Sequence, residues 1–192
     1  MKEMLEIRWH GRGGQGAKTA ADLLAQAAIH QGKFAQGFPE YGPERMGAPM
    51  RSYDRISEKP ITIHSAVEYP DIVIILDQTL LKNIPVTSGL KKDGIILINS
   101  SKDGKEIREL LKTDIGSLFI VDANKISKET IGRELPNTPL IGALIKVTKI
   151  MPLEPFLKDL TKKFEKKFSD KIIEGNINAV KRAFEEVKEH VQ

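Results

Sequence analysis

Near its start the chain reads Leu5-Glu6-Ile7-Arg8-Trp9-His10-Gly11-Arg12-Gly13-Gly14-Gln15-Gly16, and an alanine-rich segment follows to Gln31. The alternation of apolar and polar residues predicts a strand, the glycines predict a turn, and the alanine-rich segment predicts a helix. Gly11, Gly13 and Gly16 fit the pattern G-x-G-x-x-G, in which glycine lets the backbone approach a bound group beside the free N–H groups of a helix start. The pattern by itself indicates a dinucleotide or phosphate site.

Two features argue against a nicotinamide dehydrogenase. Such enzymes carry an acidic residue about 20 residues further on, which binds the ribose hydroxyls. This chain reads Lys33-Phe34-Ala35-Gln36-Gly37-Phe38 there. The turn also holds a fourth glycine and a glutamine, and such a bare backbone suits a ligand or a loop of another subunit. A plain strand-to-helix turn and a ligand-binding loop therefore both remain open.

The composition indicates the class of protein. With 192 residues, of which 40% are hydrophobic, we expect one domain over residues 1–192, with an α/β core to residue 150 and helices over 151–192. No apolar run is as long as a membrane span, and residues 1–6 lack a signal-peptide core, so we expect no membrane contact and a cytoplasmic location. The 30 basic and 26 acidic residues are mixed along the chain, which argues against a nucleic-acid partner.

The sequence offers no catalytic or metal-binding constellation. It contains no cysteine, which excludes disulfides, a thiolate nucleophile and an iron–sulfur cluster held by this chain's own thiolates. None of the four histidines has a partner at the spacing of a metal site or of a Ser-His-Asp arrangement. We therefore expect no catalytic residue and no metal ligand here.

Three apolar segments predict the centre of an α/β sheet: residues 71–77, 95–99 and 118–122. Asp77, Asn99 and Asp122 stand at their C-terminal ends. Ligands gather at that edge of a parallel sheet, although capping of the following turn is the more ordinary role of such residues.

Other features predict a mixed sheet. Met50 to Ile56 and Ile61 to His64 flank residues 57–60, whose length and composition predict a hairpin loop. On the first strand Glu6 and Arg8 alternate with apolar residues, so one face of that strand is expected to meet solvent or another chain.

Residues 37–49 form the second unusual segment. Three prolines and three glycines restrict its path, while larger side chains are free to project from it: Phe38, Tyr41, Glu44, Arg45 and Met46. Since the segment is longer than a typical connection, we interpret it as a binding surface rather than as an ordinary loop.

From Leu153 onward the chain is charged, with apolar residues spaced as in amphipathic helices. The two stripes are Phe156, Leu157, Leu160, Phe164 and Phe168, then Ile173, Ile177, Val180, Phe184, Val187 and Val191. Packing on the core is the simplest role for them, and docking on a partner is the alternative.

Several motifs together resemble the gamma subunit of pyruvate and other 2-oxoacid:ferredoxin oxidoreductases. They are Arg8 to Ala17, Gly37-Phe38-Pro39, Gly42 to Pro49, Tyr69-Pro70-Asp71, Leu90 to Gly94, Asn137 to Ala143 and Glu174-Gly175-Asn176. The resemblance covers the whole chain. One departure is Met46, where relatives often carry a second arginine, so no charge contact is expected from that position.

The resemblance implies a division of labour. These enzymes cleave a 2-oxoacid oxidatively, join the acyl group to coenzyme A (CoA), release CO2 and pass electrons to ferredoxin. Thiamine diphosphate with Mg2+ is expected between the alpha and beta subunits of a heterotetramer, and [4Fe–4S] clusters on the beta and delta subunits. The gamma subunit is expected to hold none of these cofactors alone.

For this chain the resemblance implies a role in assembly and on the CoA side of the active site. The residues expected on loops facing CoA or the active site are Arg12, Gly13, Gly14, Gln15, Gly16 and Arg45. Those expected at the interface with the other subunits are Tyr41, Gly42, Pro43, Glu44 and Met46. Of these, Arg12 or Arg45 would meet a CoA phosphate, because a guanidinium fork suits that geometry.

The expected architecture is a three-layer α/β/α Rossmann-like domain with a mixed sheet and a helical C-terminal portion. Pyruvate is the first choice of substrate, and a branched-chain 2-oxoacid is the alternative. A stand-alone nucleotide-binding reductase and a non-catalytic scaffold are the competing functions. The missing ribose acid weighs against the reductase.

Overall fold

A computed structural model describes residues 3–40 and 46–191. Its strands are β1 (Met4–Arg12), β2 (Phe34–Pro39), β3 (Pro49–Ser57), β4 (Ile72–Ile75), β5 (Ile95–Asn99), β6 (Ser117–Val121) and β7 (Lys188–His190). Its α-helices are α1 (Ala17–His30), α2 (Gly104–Leu111), α3 (Ala123–Ile131), α4 (Asn137–Thr148), α5 (Leu153–Glu165) and α6 (Asp170–Glu186). A short 3-10 helix, Gln78–Lys82, follows β4.

The strands form one mixed sheet in the order β2-β3-β1-β4-β5-β6-β7. Strands β1, β4, β5 and β6 run parallel, while β3 pairs antiparallel with both β1 and β2, and β7 pairs antiparallel with β6. The predicted mixed sheet and its three apolar central strands are confirmed. Pro39 ends an edge strand, where a missing N–H leaves no gap in the ladder.

The predicted hairpin is wrong. Residues 61–64 form no strand, and β3 instead lies between β1 and β2. Because both edges of β3 are taken, residues 61–64 have no edge on it to pair with. The segment is held by a side chain instead, since Arg55 donates from Nη1 to the Ile63 carbonyl and from Nη2 to the Ala66 carbonyl.

Helices and coil cover the two faces of the sheet unequally. Helices α1, α3, α4, α5 and α6 pack on one face, where the core includes Trp9, Leu24 and Leu144. On the other face, α2 and the 3-10 helix pack on alternate residues of the same central strands, among them Ile75 and Ile98. This arrangement is the expected three-layer α/β fold.

The two predicted C-terminal helices are α5 and α6. Most of their apolar residues pack on the core that includes Trp9 and Leu24. At the ends of the stripes, Phe168 is 40% exposed and Val191 is 77% exposed.

The polar face of β1 is buried, so the expectation that it would meet solvent or another chain is wrong. Arg8 and His10 are 4% and 3% exposed. The Arg8 guanidinium donates to the carbonyls of Val67 and Val86, and to that of Ser88, so coil from the same chain covers this face. A buried charge is tolerable here because several carbonyl dipoles satisfy its donors.

Asp54 is a buried carboxyl group on the other face of the sheet. Trp9 Nε1 donates to its Oδ2 at 2.6 Å, and its Oδ1 has no hydrogen-bond partner among the described residues. Burial raises the pKa of Asp54 well above its usual value; the Trp9 hydrogen bond opposes that rise, and the nearby Asp22 adds to it.

This raised pKa predicts a pH-dependent stability. The native state holds the Asp54 proton more tightly than the unfolded chain does. The contribution of the protonated Asp54 to the free energy of unfolding is therefore complete below about pH 4, and it declines as the pH rises toward the native pKa. The free energy of unfolding changes by at most about 1.4 kcal/mol per pH unit.

Asp54→Asn tests this pH dependence, because it keeps an acceptor for Trp9 without the charge. We expect this variant to be more stable than the wild-type chain at pH 8 but not at pH 4. Urea unfolding at both pH values measures this, with exposed Asp170→Asn as control. Parallel pH profiles for wild type and Asp54→Asn would contradict it.

Candidate functional site

The glycine turn lies at the carboxyl edge of the parallel strands, between β1 and α1. Gly14 and Gly16 have φ angles of 95° and 81°, a region that side chains rarely adopt. Gln15 N donates to the Arg12 carbonyl at 3.0 Å, which closes the turn, and Gly16 is the N-cap of α1. The backbone therefore requires glycine both at Gly16, which belongs to the G-x-G-x-x-G pattern, and at Gly14, the additional glycine of the turn.

Arg12 and Gln15 are fastened to the neighbouring strand end. Arg12 Nε lies 3.0 Å from Asp77 Oδ2, and Gln15 Nε2 donates to the same oxygen at 2.9 Å. Gln15 Oε1 accepts from the Arg12 amide at 2.7 Å, and Arg12 Nη2 donates to Thr79 Oγ1 at 2.9 Å. The Arg12 side chain remains 31% exposed.

Part of the segment of residues 37–49, which the sequence predicts to be a binding surface, lies against the glycine turn. Gly13 N donates to the Ala48 carbonyl at 2.9 Å, and Gly47 N donates to the Gly13 carbonyl at 3.1 Å. Met46 is 88% exposed, and its Sδ would lie 3.2 Å from a Cβ placed on Gly14. The fold thus brings the two segments that the sequence singled out into contact.

Five of the residues predicted for the site or interface lie outside the described residues. They are Tyr41, Gly42, Pro43, Glu44 and Arg45.

Asn137 is a residue of this site that no pattern in the sequence connects with a chemical role. It begins α4, is 9% exposed, and its Nδ2 would lie 2.6 Å from a Cβ on Gly16. The starts of α1 and α4 therefore meet at Gly16. The available signal was the Asn137-Thr138-Pro139 motif, because proline in the first turn marks a helix start.

Two of the polar residues that follow the central strands act as caps. Asp77 accepts from the Thr79 amide and Asp122 from the Lys125 amide, both at 2.9 Å. Asn99 joins two neighbouring segments, because it donates to the Leu76 carbonyl and accepts from the Asn124 amide. The expected capping of the following turn is confirmed for Asp77 and Asp122, and it is wrong for Asn99, whose bonds go to Leu76 and Asn124 instead. Asp77 in addition binds the glycine turn.

The helix starts at Gly16 differ electrostatically from the others described. Neither α1 nor α4 has an acidic residue in its first turn or a side-chain hydrogen bond at its N-cap. The other described helices carry an acidic residue at one of these positions: Asp103 and Glu106 in α2, Asp122 in α3, Glu154 in α5 and Asp170 in α6. At Gly16 the positive ends of the α1 and α4 dipoles therefore meet without an acidic residue of either helix start to offset them. This arrangement favours binding of an anion beside Gly16.

Two ionisable groups near this edge are unsuited to proton transfer near neutral pH. Burial, with the nearby Arg8 and Arg51, lowers the pKa of His10 to about 3. Burial and the hydrogen bond to Glu40 raise the pKa of Tyr53 to about 12. His10 and Tyr53 are therefore not suited to act as general acids or bases near neutral pH.

Comparison with known proteins identifies the family. The model for pyruvate ferredoxin/flavodoxin oxidoreductase matches residues 6–186. The chain belongs to this family. It is 50% identical to the pyruvate synthase subunit PorC of Thermotoga maritima, over 97% of this chain and 96% of that protein. It is 45% identical to the common gamma subunit of the pyruvate/ketoisovalerate oxidoreductases of Pyrococcus abyssi, over 96% of this chain and 98% of that protein.

The family relationship extends to the three-dimensional structure. A crystal structure of the Thermotoga maritima pyruvate oxidoreductase subunit PORC matches with a TM-score of 0.87 and 46% identity, over 98% of this chain and 99% of that chain. Because the full-length relatives are single subunits of similar length, this chain is a gamma-type member of the family.

The iron–sulfur clusters that the resemblance implies do not fit residues of this chain. A [4Fe–4S] cluster needs thiolates, and the sequence has no cysteine. Among residues 3–40 and 46–191, no group of three or more His, Asp or Glu side chains is arranged to hold a metal ion. No helix in the same described ranges is long and apolar enough to cross a membrane. The carboxyl edge, with its glycines and its helix starts free of acidic residues, suits the anionic part of a ligand.

Proposed function

We propose that this chain is the gamma subunit of a pyruvate:ferredoxin oxidoreductase. The complex would convert pyruvate, CoA and two oxidised ferredoxins into acetyl-CoA, CO2, a proton and two reduced ferredoxins. The observation that carries this proposal is the full-length match to single subunits of such enzymes. The proposed partners are alpha, beta and delta subunits in a cytoplasmic heterotetramer, with ferredoxin bound by the complex.

The role proposed for this chain is to shape the CoA side of the active site. Thiamine diphosphate, Mg2+ and the [4Fe–4S] clusters would belong to the partner subunits and would supply the carbanion and redox chemistry. The residues proposed to face CoA or the active site are Arg12, Gly13, Gly14, Gln15, Gly16 and Arg45. The residues proposed for the subunit interface are Tyr41, Gly42, Pro43, Glu44 and Met46.

The electrostatics of the carboxyl edge support a phosphate-bearing ligand. Two helix starts without acidic residues meet at Gly16. Arg12 lies at the same turn and is 31% exposed. Backbone N–H groups and a guanidinium are the donors that recognise phosphate oxygens.

The decisive experiment is to purify the tagged chain from the cells that express it. We expect an iron-containing complex with bound thiamine diphosphate, which reduces a dye when pyruvate and CoA are both present. A colourless homo-oligomer without thiamine would overturn the proposal.

The choice of 2-oxoacid is tested in the same assay. A branched-chain 2-oxoacid is the alternative substrate, because the relative from Pyrococcus abyssi is common to pyruvate and ketoisovalerate oxidoreductases. Higher kcat/KM for ketoisovalerate than for pyruvate would assign this complex to the branched-chain reaction.

The topology weighs against the stand-alone reductase. The strand beside β1 is the antiparallel β3, and its start places Pro49 and Met50 opposite Arg12 and Gly11. Among the described residues, neither of these two can offer a carboxylate to ribose hydroxyls. We expect the isolated chain to bind neither NADH nor NADPH, and fluorescence transfer from Trp9 to either nucleotide would revive the reductase.

Arg12→Ala tests the proposed phosphate contact. In the intact complex we expect the KM for CoA to rise about tenfold or more, because a charge-assisted hydrogen bond to phosphate is lost. Steady-state kinetics with pyruvate held saturating measures this, and Arg45→Ala is measured beside it. Arg182→Ala is the matched control, since Arg182 is also half-buried and pairs with Glu129 of α3 and with Glu186 of its own helix, α6. An unchanged KM for CoA in both Arg12→Ala and Arg45→Ala would exclude these contacts.

A further inference from the structure

Asp77 is the point at which the glycine turn is attached to the rest of the sheet. Its Oδ2 accepts from Arg12 Nε at 3.0 Å and from Gln15 Nε2 at 2.9 Å. Its Oδ1 accepts from the amide and the hydroxyl of Thr79 at 2.9 and 2.7 Å. Both oxygens are therefore fully used, and a single carboxylate holds the two long side chains of the turn.

These bonds set the conformation of the turn itself. While Gln15 Nε2 donates to Asp77, Gln15 Oε1 accepts a hydrogen bond from the Arg12 amide at 2.7 Å. Since Gly13, Gly14 and Gly16 have no side chains to restrict the backbone, the turn depends on such external anchors for a single conformation.

Arg12 also links Asp77 to the segment from Met46 to Ala48. Its Nη1 donates to the Gly47 carbonyl at 3.0 Å, while Nε is held by Asp77. Gly47 in turn is bonded to Gly13. The position of the segment from Met46 to Ala48 relative to the turn therefore depends on the Asp77–Arg12 pair.

The fixed guanidinium retains donors for a ligand. In the described part of the chain, Nη1 and Nη2 each make a single hydrogen bond within the protein, to Gly47 and Thr79. Each of these nitrogens bears two hydrogens, so one N–H on each remains available on the exposed part of the side chain. Asp77 holds Nε and so fixes the plane in which these two N–H groups lie.

The Asp77 carboxylate is charged whenever the protein operates. Burial raises its pKa, but the hydrogen bonds from Thr79 and Gln15 and the charge of Arg12 outweigh this and lower the pKa below its usual value. The attachment is therefore permanent at physiological pH and is not a titrating switch.

We propose that Asp77 is a positioning residue that presents Arg12 and the glycine turn to the anionic group of the CoA co-substrate. This inference rests on the proposed function and adds to it a residue that does not itself touch the ligand. A free Arg12 would keep its charge but lose its fixed orientation, so binding of the phosphate would weaken while the steps at the 2-oxoacid would not.

Asp77→Asn in the intact complex tests the proposal. We expect the KM for CoA to rise about five- to tenfold, with kcat and the KM for pyruvate within twofold of wild type. Asp122→Asn is the matched control, because Asp122 caps α3 at the same edge of the sheet and makes no bond to the glycine turn. Asp77→Glu restores the charge and is expected to recover part of the affinity.

A second readout separates this proposal from the proposed function. In the full chain, amide hydrogen exchange of Arg12, Gly13, Gln15 and Gly47 is expected to be about tenfold faster in Asp77→Asn than in wild type or Asp122→Asn. If the wild-type complex lacks pyruvate- and CoA-dependent activity, the proposed function fails, while exchange still decides whether Asp77 holds the turn. A KM for CoA equal to that of Asp122→Asn, or unchanged exchange at these amides, would overturn the positioning role.

Discussion

Replacing Gly142 with alanine is expected to lower the free energy of unfolding by about 3 kcal/mol, the upper end of the usual range for overpacking a core. Gly142 lies in α4, and a Cβ there would lie 2.2 Å from the carbonyl oxygen of Val180 in α6. The neighbour is backbone, so the clash cannot be relieved by a change of rotamer. The two helices would have to separate.

Chemical denaturation of the full chain measures the Gly142→Ala effect. The double variant Gly142→Ala/Val180→Ala is the control, because trimming the Val180 side chain leaves its carbonyl in place. We expect no rescue in the double variant. A stability equal to wild type for Gly142→Ala would show that α4 and α6 are not in close contact.

Gly16→Ala is expected to lower kcat/KM for CoA about 100-fold in the intact complex. The new methyl group would lie 2.6 Å from Asn137 Nδ2, and the φ of 81° at this position disfavours alanine as well. The Asn137 side chain, whose Cγ would lie 2.9 Å from the methyl group, would have to move away from the start of α1. Displacement of a group at a binding site by about 1 Å costs on the order of 100-fold in rate.

Gly32→Ala is the matched control for the Gly16 variant. Gly32 also has a φ of 81°, but no atom lies within 4 Å of a Cβ placed on it. It therefore reports the cost of backbone strain alone, and we expect near-normal CoA kinetics. If the two variants have the same KM for CoA, the contact between Gly16 and Asn137 has no part in binding.

Most of the fold could be predicted from local patterns. The uninterrupted apolar segments around Ile74 and Leu97 require burial on both faces, and the spacing of Phe156, Leu160 and Phe164 requires a helix with one buried face. These patterns carry enough information because periodicity is a property of neighbouring residues.

Pairing between distant strands was less predictable. Residues 61–64 resemble a strand, yet β1 and β2 occupy both edges of β3. The alternation of Glu6 and Arg8 on β1 suggested an open face, but Arg8 is buried under coil whose carbonyls it binds. Competition for a strand edge, and satisfaction of a buried charge by distant carbonyls, are not visible in a local window.

For the candidate site, the sequence singled out the glycine turn and the proline-rich loop as separate segments. The contact between Gly13 and Gly47 joins them, and Asn137 enters from a helix more than 100 residues away. Asp77 looked like an ordinary cap and is also the anchor of Arg12 and Gln15. The roles assigned to Arg12 and to the residues from Tyr41 to Met46 stay predictions.

The sequence by itself determined the strand–turn–helix start, the mixed α/β class, the C-terminal helices, the family and the absence of cysteine ligands, because each follows from residue type and short-range spacing. Only the tertiary structure decided the strand order, the burial of the Arg8 face and the assembly of Arg12, Asp77 and Asn137 at one edge. Those features depend on which distant segments pair with the same strand edge and which bind the same hydrogen-bonding groups. The outcome is decided only when the whole chain packs.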